Sequence, residues 1–238
     1  NIFVILYDKV YTSQDWWHVF RFHQLTLHSL SQKTYGILDA CWNGFAATES
    51  FYGKYDPADV RRTQWLEGPQ YDKEGQPLLL NDGSQLDYTP HITSLFDSSN
   101  PARANEGVRS AKYEYADGLQ GECMNNDYVV YRYADVLMMK GEALVRQGHA
   151  DLAVPLFNEV RKRTGLPDYE AADLTIDEIY DERGREFAWE GLRRQDMIRF
   201  GKWCEPRDLK PAVSPEYTKL YPIPADIRKT NANLKQND

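Results

Sequence analysis

The sequence predicts a mainly α fold in which helix pairs join a loop-rich irregular region with short strands. Three observations carry that prediction. Apolar residues recur at helical spacing from Val130 onward, turn-forming residues crowd the stretch from Trp42 to Asn126, and the character of the 238-residue chain changes at Asp127. The chain therefore divides into a loop-rich region over 1–126, a helical region over 127–203 and an extended tail over 204–238, all within one domain.

Element by element, the opening "NIFVILYDKV" reads as a buried strand. It begins in mid-pattern without an initiator Met, so the chain reads as a fragment of a longer protein. Residues 22–38 mix short helical and extended options. From Trp42 to Asn126, "WNGF", "EGPQYDKEGQP", "LNDGSQ" and "DSSNPARANEG" are turn clusters rich in Gly, Pro, Asn and Asp. Tyr and Trp are scattered among them, which argues for ordered loops that carry function.

In "DYVVYRYADVLMMKGEALVRQG", Val130, Tyr133, Ala134, Leu137, Gly141 and Leu144 lie on one helical face, with Asp127 as the expected N-cap and Gly148 as the stop. A second helix, "ADLAVPLFNEVRKRTG", closes at Gly165, with Pro155 expected in or near its first turn, where a missing N–H costs little. The pair fits a tetratricopeptide frame. Gly141 takes the small position and Leu144 the following apolar one, while Ala153 and Phe157 take the Ala and Phe positions of the second helix. Such a pair must stack on neighbours. Thr175 and Glu178 form a capping box for a further helix, along which Ile176, Ile179, Tyr180, Arg183, Phe187 and Glu190 track one stripe. Gly191 breaks that run, a short helix ends at Gly201, and "YPIPADIRKTNANLKQND" reads as extended chain.

Composition excludes several classes. A net charge of −8 and a pI near 5.2 argue against a nucleic-acid footprint. Cys41, Cys123 and Cys204 match no metal spacing, and no apolar run reaches membrane-spanning length. His18, His23 and His28 are spaced by five, which fits neither a helix face nor a metal motif, so they read as packed or surface side chains. Motifs of the GxSxG, P-loop and GxGxxG types are absent, and the sequence implies no catalytic residue, cofactor or metal.

The densest charge lies in "DERGREFAWEGLRRQDMIRFGKW", residues 181–203. Glu182, Glu186 and Glu190 are spaced by four, and a carboxylate pair at that spacing roughly meets the separation a glycosidase needs. Glycosidases draw their acids from different elements around a cleft, however, and here Arg183, Arg185, Arg193 and Arg194 stand alongside. Glu190 with Arg194 and Arg193 with Asp196 have helical pair spacing, and Arg binds carboxylates bidentately from one helix to the next. The stretch reads as scaffold.

These residues together resemble the SusD/RagB family. "YVVYRYADVLMMKGEALVRQG", "FNEVRKRTGL", "LTIDEIYDERGREFAWEGLRRQDMIRFGKW" and the closing "YPIPADIRKTNANLKQND" look like the C-terminal half of its members, and so do the earlier "WNGF", "FYGKYD" and "EGPQYDKEGQP". The resemblance covers nearly the whole chain, with the motifs in the family's order. It implies a largely helical fold of tetratricopeptide-like pairs with a loop-rich region, and a surface-exposed outer-membrane lipoprotein of Bacteroidetes. Such a protein binds glycans without cleaving them and sits as a lid on a TonB-dependent transporter. It also implies a preceding half with signal peptide, lipidated Cys and further helix pairs. Some members bind peptide or other nutrients instead.

A glycan site needs flat rings for apolar sugar faces and amides or guanidiniums for hydroxyls. With 16 Tyr, 9 Phe and 6 Trp, the chain has rings to spare for such a surface, although burial is the commoner fate of any one ring. The candidate ligand residues are Trp16, Trp17, Trp42 and Asn43, with Trp65 a weaker fifth. Trp16 and Trp17 follow "TSQD" and cannot both face inward on an extended chain. Trp42 and Asn43 share a turn with Gly44. Both stretches fall where the family places its sugar-stacking rings, although Trp16-Trp17 departs from the small polar residues usual there. The leading expectation is a glycan-binding protein that delivers oligo- or polysaccharide to a transporter. A tetratricopeptide-type protein scaffold, a relative binding a non-glycan nutrient, and a glycosidase using Glu182 or Glu186 are the alternatives.

Overall fold

A computed structural model describes residues 1–8, 11, 21–94, 104–115, 124–231 and 233–237. The chain separates into two units, 1–191 and 192–238.

In the first unit, the opening apolar run forms β1 (Phe3–Ile5). Its antiparallel partner comes from just upstream of the first long helix, so helical structure begins later than Asp127. "YVVY" is β-branched and aromatic, which suits a pleated surface better than a helix. Asp127 instead accepts the Tyr7 N–H at 3.3 Å. β1 was expected to be buried, but Phe3 and Ile5, like Ile2 before them, are exposed, β1 being paired among the described residues with one other strand.

Short pieces then follow: α1 (Phe22–Thr26), a 3₁₀ turn over Ser29–Ser31, α2 (Gln32–Tyr35), α3 (Glu49–Tyr52) and a 3₁₀ turn over Val60–Gln64. Two-residue strands β2 (Trp65–Leu66), β3 (Gly68–Pro69), β4 (Asp87–Tyr88) and β5 (Arg109–Ser110) pair as β2–β5 and β3–β4. β6 (Tyr128–Tyr131) is the partner of β1. The irregular region is ordered by aromatic burial. Tyr52, Tyr55 and Trp65 share one buried cluster with Val108 and Ala188, and Leu78, Leu86 and Tyr88 form another. Trp65, the weaker ligand candidate, is therefore core.

α4 (Tyr133–Arg146) and α5 (Ala150–Arg161) pack closely, as the tetratricopeptide frame predicts. A Cβ on Gly141 would sit 2.5 Å from Phe157 Cε2, so glycine is what lets the helices meet there. Ala153 and Phe157 are buried on the facing side. Gly148, with φ of 84°, ends α4 where expected. Pro155 is the sixth residue of α5, past the first turn, and so removes one helical hydrogen bond.

α6 (Ile176–Glu186) starts at the predicted cap, Thr175 Oγ1 accepting the Glu178 N–H at 3.1 Å. It stops before Phe187, so Glu190 is not on the helix. The reason lies in the last carbonyls. Lys112 Nζ donates to Glu186 O and Ala188 O at 2.8 and 2.9 Å, and Arg132 Nη2 donates to Glu186 O at 2.8 Å. Cationic side chains thus satisfy acceptors that another turn would have used, where the helix dipole also favours positive charge. Gly191, at φ of 77°, then turns the chain as expected.

The second unit holds α7 (Arg193–Arg199), a 3₁₀ turn over Glu216–Lys219 and α8 (Ala225–Thr230). α8 corrects the expectation of an extended tail. Pro224 precedes it, Asp226 lies in its first turn and Arg228 and Lys229 in its last, which complements the helix dipole. Within this unit the Arg194 guanidinium lies 4.7 Å from the Trp203 ring and 4.1 Å from that of Tyr221, and it donates to Thr218 O and Lys219 O.

Candidate functional site

Two features of the first unit stand out: an exposed aromatic turn and a buried charge cluster.

The turn is Trp42–Phe45. Its backbone is strapped to α1 and the residue after it, since the N–H groups of Trp42, Asn43, Gly44 and Phe45 donate to Gln24 O, Leu27 O, Leu25 O and Leu25 O at 2.7–2.9 Å. Thr26 Oγ1 donates to Phe45 O at 3.0 Å. Asn43 adopts a left-handed φ of 54°, a conformation Asn tolerates better than most residues. Beneath it lies Arg109, 2% exposed, whose Nε and Nη2 donate to Asn43 Oδ1 at 3.0 and 2.8 Å. The same guanidinium reaches the carbonyls of Glu106 and Gly107 and lies 4.7 Å from the Tyr88 ring. Asn43 thus spends its amide oxygen on holding the turn. The rings of Trp42, 47% exposed, and Phe45, 55% exposed, are left toward solvent, with the Arg21 guanidinium 5.6 Å from the Trp42 ring centroid.

Of the sequence candidates, Trp42 and Asn43 are therefore adjacent on a rigid turn, whereas Trp16 and Trp17 lie outside the described residues. Arg109 and Phe45 were missed. Phe45 had a signal, being the last letter of "WNGF". A lone Arg in an irregular run had none.

The charge cluster is built on Glu182, Glu186 and Glu190, all at most 5% exposed. Glu182 accepts from Arg61 and Arg185, and Glu186 from Arg61, Arg132 and Arg163 at 2.9, 2.6 and 2.6 Å. Glu190 accepts from Arg132 and Lys112. Apart from Arg185 on α6 itself, these partners sit at 61, 112, 132 and 163, so the carboxylates tie the 182–190 stretch to the irregular region and to the residues just past α5, as the scaffold reading requires. For Glu190 the partners are not the near neighbour Arg194 first expected. Glu190 pairs with Arg132 and Lys112, and the buried Asp196 accepts from Arg199 at 2.8 Å. Burial alone would raise the Glu186 pKa, but Arg132, Arg163 and Arg61 outweigh it and hold the carboxyl at about 2. Burial pushes the Lys112 amine down, with Glu190 opposing.

A cleft of about 270 Å³ opens on this cluster, lined by Arg61, Lys112, Arg132, Arg163 and Glu186 among others. Chemically it is a satisfied ionic lattice. Glu186 accepts from three guanidiniums that hold it ionised, so it has no proton to donate at neutral pH. His23 is buried and its pKa lowered to about 4, chiefly by burial, and His28 Nδ1 accepts the Leu30 N–H at 3.1 Å, so both are packed as expected. His18 lies outside the described residues. No group of His, Cys, Asp and Glu suited to a metal ion occurs among the described residues. No helix among them is long and apolar enough to cross a membrane.

A close helix pair joined to an irregular region by buried Arg–Glu ties, with rings displayed on a loop, defines a scaffold built to present a surface. The chain belongs to the SusD family, whose model matches residues 42–218. It is 33% identical over 123 residues to the starch-binding protein SusD of Bacteroides thetaiotaomicron, covering 48% of this chain and 22% of that one. It is 26% identical over 216 residues to SusD-like protein P2 of Formosa agariphila, covering 83% and 40%. Among solved structures, surface glycan-binding protein A from B. thetaiotaomicron aligns over the whole chain and 51% of its own, with a TM-score of 0.67 and 24% identity. The same protein in complex with laminarihexaose aligns with a TM-score of 0.66. These likenesses establish the mainly helical SusD-like fold, and the chain spans about half the length of the solved structures, or less of the curated relatives, that it matches.

Proposed function

We propose that this chain is part of a surface glycan-binding protein that captures oligo- or polysaccharide and delivers it to a TonB-dependent outer-membrane transporter, without cleaving it. The carrying observation is the Trp42–Phe45 turn, where two exposed rings stand on a backbone clamped from below by Arg109. Rigid rings lose little entropy on binding, and stacking contributes on the order of 1 kcal/mol per ring. Trp42 is the principal stacking ring, and Asn43 contributes by fixing the turn. Trp16 and Trp17 remain proposed ligand residues on the sequence alone. Membership of the SusD family supports this reading, as do the starch named for one relative and the laminarihexaose bound by one structural neighbour. The lipid anchor, the cell-surface location and the transporter partner are proposed on the family resemblance.

Calorimetry against a panel of polysaccharides tests it. Trp42→Ala is expected to weaken binding about tenfold, the equivalent of ~1.4 kcal/mol, with the thermal midpoint nearly unchanged. A steep fall in the midpoint with affinity preserved would show that Trp42 is structural and that the site lies elsewhere.

A further inference from the structure

Resting on the glycan-binding reading above, we propose that Arg109 is a positioning residue for glycan binding: without reaching the ligand, it sets the relative orientation of the Trp42 and Phe45 rings through the Asn43 side chain. Asn43 lies between those two residues with a left-handed φ of 54°, which costs a residue with a side chain energy unless its surroundings hold it there. Were Asn43 to relax to a right-handed or extended φ, the chain direction on its two sides would change, and the rings with it. The restraint comes from its amide. Arg109 Nε and Nη2 both donate to Asn43 Oδ1, and Asn43 Nδ2 donates to Ala104 O at 3.4 Å. Both ends of the amide are thereby engaged inside the protein, which makes Asn43 a positioning residue as well.

Arg109 is itself fixed by several contacts. Its Nη2 also donates to Ala104 O at 3.3 Å, Nη1 donates to Glu106 O at 2.7 Å and to Gly107 O, and the guanidinium lies 4.7 Å from the Tyr88 ring. Such a set needs a planar fork. The ammonium of Lys, a point charge on a flexible stem, cannot combine the paired contact with the ring stacking. The backbone beside Arg109 also approaches the turn closely. At Gly107, with φ of 76°, a Cβ would lie 2.5 Å from Ala46 Cβ, and the Ala47 N–H donates to Val108 O at 3.0 Å. Segment 104–110 thus mounts the turn in addition to α1. A platform held in its binding geometry before the sugar arrives loses less freedom on binding, so the mount raises affinity.

The test is calorimetry on the full chain with laminarin, amylopectin, galactomannan and polygalacturonate, carried on with the polymer that binds most tightly. Arg109→Lys, which keeps the charge and loses the fork, is expected to weaken binding about tenfold and to add less than about twofold to the loss in Trp42→Ala. Gly141→Ala, which is destabilised at the α4–α5 contact, is expected to change affinity less than about twofold, so that lost stability does not account for lost binding. Where Arg109→Lys does not fold, Asn43→Gly takes its place, since glycine accepts the left-handed φ but offers Arg109 no acceptor, and the same loss is expected. A folded variant of either kind with affinity unchanged, a loss that simply adds to that of Trp42→Ala, or an equal loss in Gly141→Ala would overturn the positioning role and leave glycan binding standing. If none of the polymers binds, or Trp42→Ala binds as tightly as the parent, the glycan reading falls and the positioning role with it.

Discussion

Glu186 gathers three guanidiniums, from Arg61, Arg132 and Arg163, around one buried carboxylate. Its folded pKa of about 2 lies below the ordinary 4.5, so it adds stability that is complete above pH 4.5 and is lost as pH falls toward 2. That shift corresponds to about 3 kcal/mol. Glu186→Gln, which leaves buried guanidiniums short of an anion, is expected to lower unfolding free energy by about 3 kcal/mol or more at neutral pH. The variant should also show a shallower acid loss between pH 4.5 and 2 in urea titrations. His23 titrates earlier. With a pKa lowered from 6.5 to about 4, it is neutral in the fold and protonated in the unfolded chain between those values, so its contribution falls away from pH 6.5 down to 4. His23→Gln is expected to flatten the stability profile over that window and leave the Glu186 window unchanged.

The α4–α5 contact is decided by a missing methyl group. In an open helix, Gly→Ala gains up to about 1 kcal/mol in propensity. At Gly141 the new Cβ meets the Phe157 ring at 2.5 Å, and Phe157 is 1% exposed with little room to retreat. Gly141→Ala is expected to destabilise the protein by about 1–3 kcal/mol in chemical denaturation. Adding Phe157→Leu should recover part of that loss, and a stabilising Gly141→Ala would mean the helices are free to part. The capping of α6 works the same way at its end. There Lys112 and Arg132 hold carbonyls that the sequence pattern had assigned to a longer helix.

At the scale of the whole molecule, the proposed binding turn and the acidic residues differ in exposure. Trp42 and Phe45 display two exposed rings on one turn, while the acidic residues that invite a catalytic reading are locked into buried pairs. Incubation with neutral polysaccharides is therefore expected to leave their chain-length distribution unchanged by size-exclusion chromatography. Cleavage that vanishes in a folded Glu186→Gln variant would restore the glycosidase reading. The same buried pairs make stability sensitive to acid more than to salt, since screening reaches exposed charges far more than buried ones.

The sequence by itself determined the local elements whose signals lie within a few residues. These are the Thr175 cap, the stops at Gly148 and Gly191 and the Gly141–Phe157 helix contact. Each depends on backbone geometry or side-chain size at fixed spacing, which the order of residues states directly. Only the tertiary structure decided the partners. "YVVY" became a strand because β1 lay within reach, Trp65 went inward with Tyr55, and Glu190 found Lys112 and Arg132 rather than Arg194. The Asn43 amide went to Arg109, 66 residues away. Ion pairs and ring contacts across such separations depend on where the whole chain brings its side chains, and helical spacing alone carries no record of that.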